Sequence, residues 1–267
     1  MTSAPCGSWG STSARPAVQR LLAEPAFILH RRQYSESSLL LEVLTPARGR
    51  LGMLARGARG GRSGLAAALQ PFQELRVDAS GAGELLRLTR AEAVGGPVAL
   101  VGERALAGLY CNELVVRFLP RADPSPAAFE RYRQVLIELA DAPAPAWPLR
   151  RFERDLLALL GYGIDYAVDA DGAGLDPAMH YRLLPERGFV AVAEGVGGYP
   201  GSALLALAQD QPPEASQLRA MRGLLRDLLG AQLTGAPLRS WRLLSELPRV
   251  QRGGLNSDAV ADAAAGD

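Results

Sequence analysis

Seven arginines fall between residues 31 and 62: Arg31, Arg32, Arg48, Arg50, Arg56, Arg59 and Arg62. Only Glu36 and Glu42 oppose them there, a local balance of +5 in a chain whose net charge is +1. A guanidinium is a planar, permanently charged fork of donors that matches phosphate oxygens and stacks on bases. Such a concentration in a near-neutral chain reads as a binder of a polyanion. Phosphate contact is expected from Arg31, Arg32, Arg50, Arg56, Arg59 and Arg62, with Arg56, Arg59 and Arg62 following a backbone from a glycine-rich loop. All 29 basic residues are arginine. Without lysine the chain has no P-loop amine and no Schiff-base nucleophile. The run Gly57-Ala-Arg-Gly-Gly-Arg-Ser63 also lacks P-loop spacing.

A second basic set is Arg150 and Arg151, just before Phe152 at a helix start. Cations are disfavoured there because the helix macrodipole is already positive, which points to an acidic partner. Arg219, Arg222 and Arg226 form a further stripe on a later helix. Acid–base chemistry is poorly supplied. The chain has two histidines, one of them beside Arg31 and Arg32, and no evident nucleophile–base pair, so no enzyme is expected. Asp169, Asp171 and Asp176, with His180 nearby, match a hard cation's ligands on a glycine-rich loop. Such residues are far more often solvated loop charges, and no metal or other cofactor is expected.

Short strands must position the first cluster. Ala26–His30, Ser38–Leu44, Leu51–Ala55, Phe72–Val77 and Glu84–Ala91 are apolar or alternating runs separated by turn residues. Pro46 and Gly49 suit the second turn, and Gly81-Ala-Gly83 suits the last. Five strands with a basic face fit an OB-fold, a small barrel that commonly binds single strands. From Gly96 the period becomes helical. The stripes Leu106/Leu109/Tyr110/Leu114/Phe118, Phe129/Tyr132/Leu136/Leu139/Ala140, Leu149/Phe152/Leu156/Leu159/Leu160 and Leu218/Met221/Leu225/Leu228/Leu229 predict a bundle. Ser125-Pro126 offers an N-cap followed by proline at the first helical position. Between helices, Tyr181–Leu184 and Phe189–Ala193 bracket a turn, a small hairpin that needs the helices for support.

The class is therefore α+β and multidomain. Residues 1–23 read as a disordered leader, 24–96 as the barrel, 97–250 as a helical domain with a glycine-rich insertion at 162–201, and 251–267 as a disordered tail. No run approaches the roughly 20 apolar residues of a membrane span. Cys6 and Cys111 lie in different kinds of segment, so no disulfide is expected and a reducing cytoplasm is the natural compartment.

Nine short motifs in order carry a resemblance. They are Phe27-Ile-Leu-His30, Tyr34-Ser-Glu-Ser-Ser38, Gly49-Arg50, Ala55-Arg-Gly-Ala-Arg59, Leu69-Gln-Pro-Phe72, Leu88-Thr-Arg-Ala-Glu92, Tyr110-Cys-Asn-Glu-Leu114, Leu149-Arg-Arg-Phe-Glu153 and Leu160-Gly-Tyr-Gly163. Together they resemble the RecO family of bacterial recombination mediators. The resemblance implies an N-terminal OB-fold, an all-α bundle and a small zinc-ribbon-like hairpin insertion. It implies a protein that binds single- and double-stranded DNA and anneals complementary strands coated with single-stranded-DNA-binding protein (SSB). It also implies work with RecR to load RecA, with RecF involved indirectly, at the nucleoid. SSB ends in an acidic tail with a terminal phenylalanine, and Arg150, Arg151 and Arg222 are the residues expected to hold it. Many members carry two CxxC-like pairs in the glycine-rich module. Here that module has no cysteine, so a zinc-less branch is expected. Two other readings follow from the residues alone: an RNA-binding OB-fold protein, and a metal-dependent nuclease using the three aspartates.

Overall fold

The computed structural model describes residues 18–58, 65–193 and 196–241. Its first half is a closed barrel of β1 (Val18–Gln33), β2 (Leu39–Thr45), β3 (Gly49–Ala55), β4 (Glu74–Ala82) and β5 (Leu85–Ala93), with the short α1 (Leu65–Ala68) before β4. The strand order is β1-β2-β3-β5-β4, closed by pairing of β4 with β1. All pairs are antiparallel except β3 with β5. The five expected runs are the five strands, with shifted ends.

The largest shift is in β1, which spans 16 residues and begins inside the segment expected to be a leader. One end pairs with β4 and the other with β2, and the register slips between Leu21 and Glu24 and between Ile28 and His30. Such irregularities bend a strand, which lets one strand serve both edges of the closing sheet. Polar Gln19, Arg20 and Glu24 hide this from an apolar-run search. Inside the barrel Leu21, Ile28, Leu41, Val43, Met53, Leu75, Val77, Leu86 and Leu88 form its own core.

The second half packs α2 (Glu103–Phe118), α3 (Pro126–Asp141), α4 (Ala146–Leu159), α5 (Gly201–Ala208) and α6 (Ala215–Gln232) around a second core. The stripe of α2 is rotated from expectation. Leu109 is 47% exposed, while Ala107, Tyr110, Cys111, Leu114 and Val115 are buried. Ser125 does stand at the start of α3 with Pro126 next, but its hydroxyl makes no capping bond. The glycine-rich insertion carries β6 (His180–Leu184) and β7 (Gly188–Val192), joined by β8 (Tyr199–Pro200) in a three-stranded sheet rather than a lone hairpin. A zinc ribbon is not established there. Among the described residues no three His, Cys, Asp or Glu side chains gather into a metal site.

The halves are locked together. Phe27 of β1 belongs to the helical core, with its ring 5.2 Å from that of Phe129 and 5.1 Å from that of Tyr132. Buried Asn112 donates to the Leu29 carbonyl at 2.9 Å and accepts from the Tyr132 hydroxyl. A buried amide satisfied from both sides fixes orientation as well as distance. Gly49 explains the turn before β3. Its φ is +64°, and a Cβ there would stand 1.9 Å from the Asp123 carbonyl oxygen of the α2–α3 loop.

Candidate functional site

The register sorts the arginines of the barrel by face. Arg32 pairs with Leu40, Leu40 with Leu54, and Leu54 with Arg87. The neighbouring rung, Leu41–Met53–Leu86, lies in the barrel core. Because successive side chains alternate faces, Arg32, Leu40, Leu54 and Arg87 point outward together. Two half-buried leucines are thus flanked by two exposed guanidiniums. Three interstrand steps separate Arg32 from Arg87, about 14 Å. Arg87 continues the rung to Ser80 and Arg20 across the seam. Among the described residues Arg32, Arg56 and Arg87 form no ion pair.

The other expected contacts divide. Arg56 is exposed just past β3. Arg31 falls on the inward parity opposite Leu41 and donates from Nη1 to the Leu69 carbonyl at 3.0 Å, so it tethers the chain beside α1. Arg50 is set apart from the exposed arginines. Its side chain is 13% exposed, it ion-pairs Glu42 at 2.5 Å, and its Nε donates to the Leu119 carbonyl at 3.0 Å. Arg121 reaches the other Glu42 oxygen. Arg50 therefore joins barrel to helices, with its charge shared with Glu42. Arg59 and Arg62 lie outside the described residues. Arg87 was missed in the sequence, although the alternation Leu86/Leu88 against Arg87/Thr89 is the signal that places it outward. Tyr34, 62% exposed at the β1–β2 turn, adds an open ring near the same edge. Phe27, 2% exposed, is core.

The helical arginines divide as well. A cavity of 390 Å³ is lined by Glu103, Ala107, Pro145, Leu149, Leu218, Arg150, Arg219 and Arg222, among others. Its walls are largely apolar, and its lining includes three guanidiniums and one carboxylate. Arg150 and Arg222 are therefore brought together as expected. Arg151 is not. It lies elsewhere, paired to Asp210 at 2.7 Å and to Glu138 at 3.0 Å. Burial would raise the Asp210 carboxyl, but hydrogen bonds from Arg151 and the charge of Arg154 prevail and hold it below the usual carboxylate range. Arg219 is the residue that the i, i+3 spacing to Arg222 supplies.

The aspartates of the insertion serve their own turns. Asp169 Oδ1 accepts the N–H groups of Asp171 and Ala173, and Asp176 Oδ1 accepts that of Ala178. Cys111 is buried in the helical core, where burial pushes its thiol far above its usual range. Among the described residues no helix is long and apolar enough to cross a membrane.

Comparison with known proteins agrees with this layout. Residues 20–97 match the family model described as recombination protein O N terminal, and residues 100–242 match recombination protein O C terminal. The chain is 44% identical over 233 residues to a protein named DNA repair protein RecO from Xanthomonas campestris pv. campestris (strain B100), covering 85% of this chain and 97% of that one. It is 44% identical over 233 residues to the protein of that name from Xanthomonas oryzae pv. oryzae (strain PXO99A), with the same coverage. A Stenotrophomonas maltophilia (strain K279a) protein of the same name is 43% identical over 230 residues, covering 84% of this chain and 96% of its own. With both halves matched in order, and with a closed barrel and a helical bundle where those matches fall, the chain belongs to the recombination protein O family.

Proposed function

We propose that this protein is a non-enzymatic mediator of DNA repair and recombination that works in the cytoplasm at the nucleoid. The barrel takes single- and double-stranded DNA on its outer face. The helical half recruits the acidic tail of SSB, so that coated complementary strands are brought together and annealed. With RecR as partner the same complex promotes loading of RecA, and RecF acts on it indirectly. The observation that carries the reading is the outward rung Arg32–Leu40–Leu54–Arg87. Guanidiniums neutralise phosphates and release counterions, while apolar surface between them accepts base faces. The apolar cavity with arginines in its lining suits a carboxylate chain that ends in an aromatic residue.

The test is annealing of complementary oligonucleotides coated with SSB. The wild-type protein should anneal them, and Arg32→Glu/Arg87→Glu should not, while keeping its melting temperature. Unchanged annealing by that variant would place the DNA elsewhere. A gel shift with RNA in place of single-stranded DNA separates the RNA-binding alternative, which predicts preference for RNA. Shortening of labelled DNA in Mg²⁺ would favour a nuclease.

A further inference from the structure

Arg150 and Glu153 stand at i and i+3 on α4 with side chains 8% and 2% exposed. Arg150 Nη2 donates to Glu153 Oε1 at 2.7 Å, and the Tyr110 hydroxyl donates to the same oxygen at 2.6 Å. Trp241 Nε1 donates to that hydroxyl at 3.3 Å. Yet Arg150 Nε and Glu153 Oε2, both buried, have no hydrogen-bond partner among the described residues. The ion pair is therefore half-satisfied on each side, which is costly for buried charge. Arg222 and Arg226 border the same 20 Å³ void as the pair, and Arg150 and Arg222 also line the larger cavity. Around Glu153, three guanidiniums thus meet one carboxylate.

We propose that Glu153 is an internal competitor for the anion this cavity takes: it ties one edge of Arg150 and so moderates the affinity for a partner's carboxylates. Glu153 is a positioning residue that acts through Arg150. The inference rests on the reading that the cavity holds an acidic tail. Removing the charge of Glu153 while keeping its shape leaves Arg150 uncompensated. The fold loses stability, and an incoming carboxylate gains a partner no longer neutralised from behind. A residue with a merely structural role would weaken both folding and binding, or leave binding alone.

The probe is a short aspartate-rich peptide ending in a free-carboxylate phenylalanine, titrated by fluorescence anisotropy into the full-length protein. Binding should weaken in Arg222→Glu; if it does not, the reading of the cavity fails and the inference falls with it. Glu153→Gln should melt lower than wild type and bind about tenfold tighter, the scale of one repulsive charge removed in a partly exposed cleft. Glu153→Asp, which keeps the charge, should not tighten binding. The gain should vanish when Glu153→Gln is made in an Arg150→Gln background. Equal or weaker binding by folded Glu153→Gln, with the Arg222 dependence intact, overturns the inference alone. Should Glu153→Gln fail to fold, the peptide added during refolding should raise its folded yield but not that of Glu153→Gln/Arg150→Gln; no rescue, or rescue of both, overturns the inference.

Discussion

Removing Arg32 and Arg87 together should flatten the salt dependence of DNA binding, whereas removing Arg50 should not. All three are arginines of the barrel, and each substitution by alanine deletes one charge. Their settings differ. Arg32 and Arg87 are exposed and form no ion pair among the described residues, while Arg50 is 13% exposed and bound to Glu42. A guanidinium that neutralises a phosphate releases condensed counterions, giving a log–log salt slope of about −0.7 per contact on single strands and about −0.9 on duplex. Loss of two contacts therefore reduces the slope by about 1.4 on single strands and about 1.8 on duplex. Between about 50 and 200 mM salt this means that wild type loses roughly sevenfold more single-strand affinity than the Arg32→Ala/Arg87→Ala variant. Arg50→Ala should leave the slope unchanged and cost about 2 kcal/mol of folding stability, because Glu42 keeps Arg121 but loses its half-buried partner. Anisotropy of a labelled oligonucleotide across a salt series measures the slopes, and urea unfolding measures the stability. A slope reduced by Arg50→Ala, or unmoved by the double variant, would refute the division of the arginines by face.

Other outcomes test other parts of the molecule. Tyr34→Ala should weaken single-strand binding by about 1–3 kcal/mol and duplex binding little, since an open ring stacks on unpaired bases. Phe27→Ala should cost about 3–5 kcal/mol in urea unfolding, because the ring is 2% exposed and packs against Phe129 and Tyr132. Gly49→Ala should lower stability by at least about 2 kcal/mol, the left-handed φ adding to collision with the Asp123 carbonyl. The Asp210 contribution carries a sign. Its folded pKa is depressed by Arg151 and Arg154, so the stabilisation is present above its unfolded pKa and is lost as pH falls through the folded value. Thermal melts should show a shallower acid decline for Asp210→Asn, by a small amount because the side chain is 40% exposed.

Local chemistry written along the chain determined a good deal. Alternation and turn residues located the five strands, the 3.6-residue period located α2, α3, α4 and α6 but not the short α5, and nine motifs in order pointed to the family. Arg150 and Arg222, far apart in sequence, were both expected at an acidic-tail site, and the cavity brings them together. The long β1 was hidden because a strand that bends to pair on both sides need not be apolar throughout. The fate of each arginine was decided only in three dimensions. Arg31, Arg32 and Arg50 look alike in a composition count, yet one tethers a carbonyl, one faces solvent and one closes a half-buried ion pair. Arg87 joined Arg32 only because β3 pairs with β5 across a long sequence gap. Arg150 and Arg151 are adjacent, but residues one apart on a helix point about 100° away from each other. That rotation sends Arg150 to the cavity and Arg151 to Asp210. Charge is a property of the residue; whether the charge is free is a property of what the fold sets beside it.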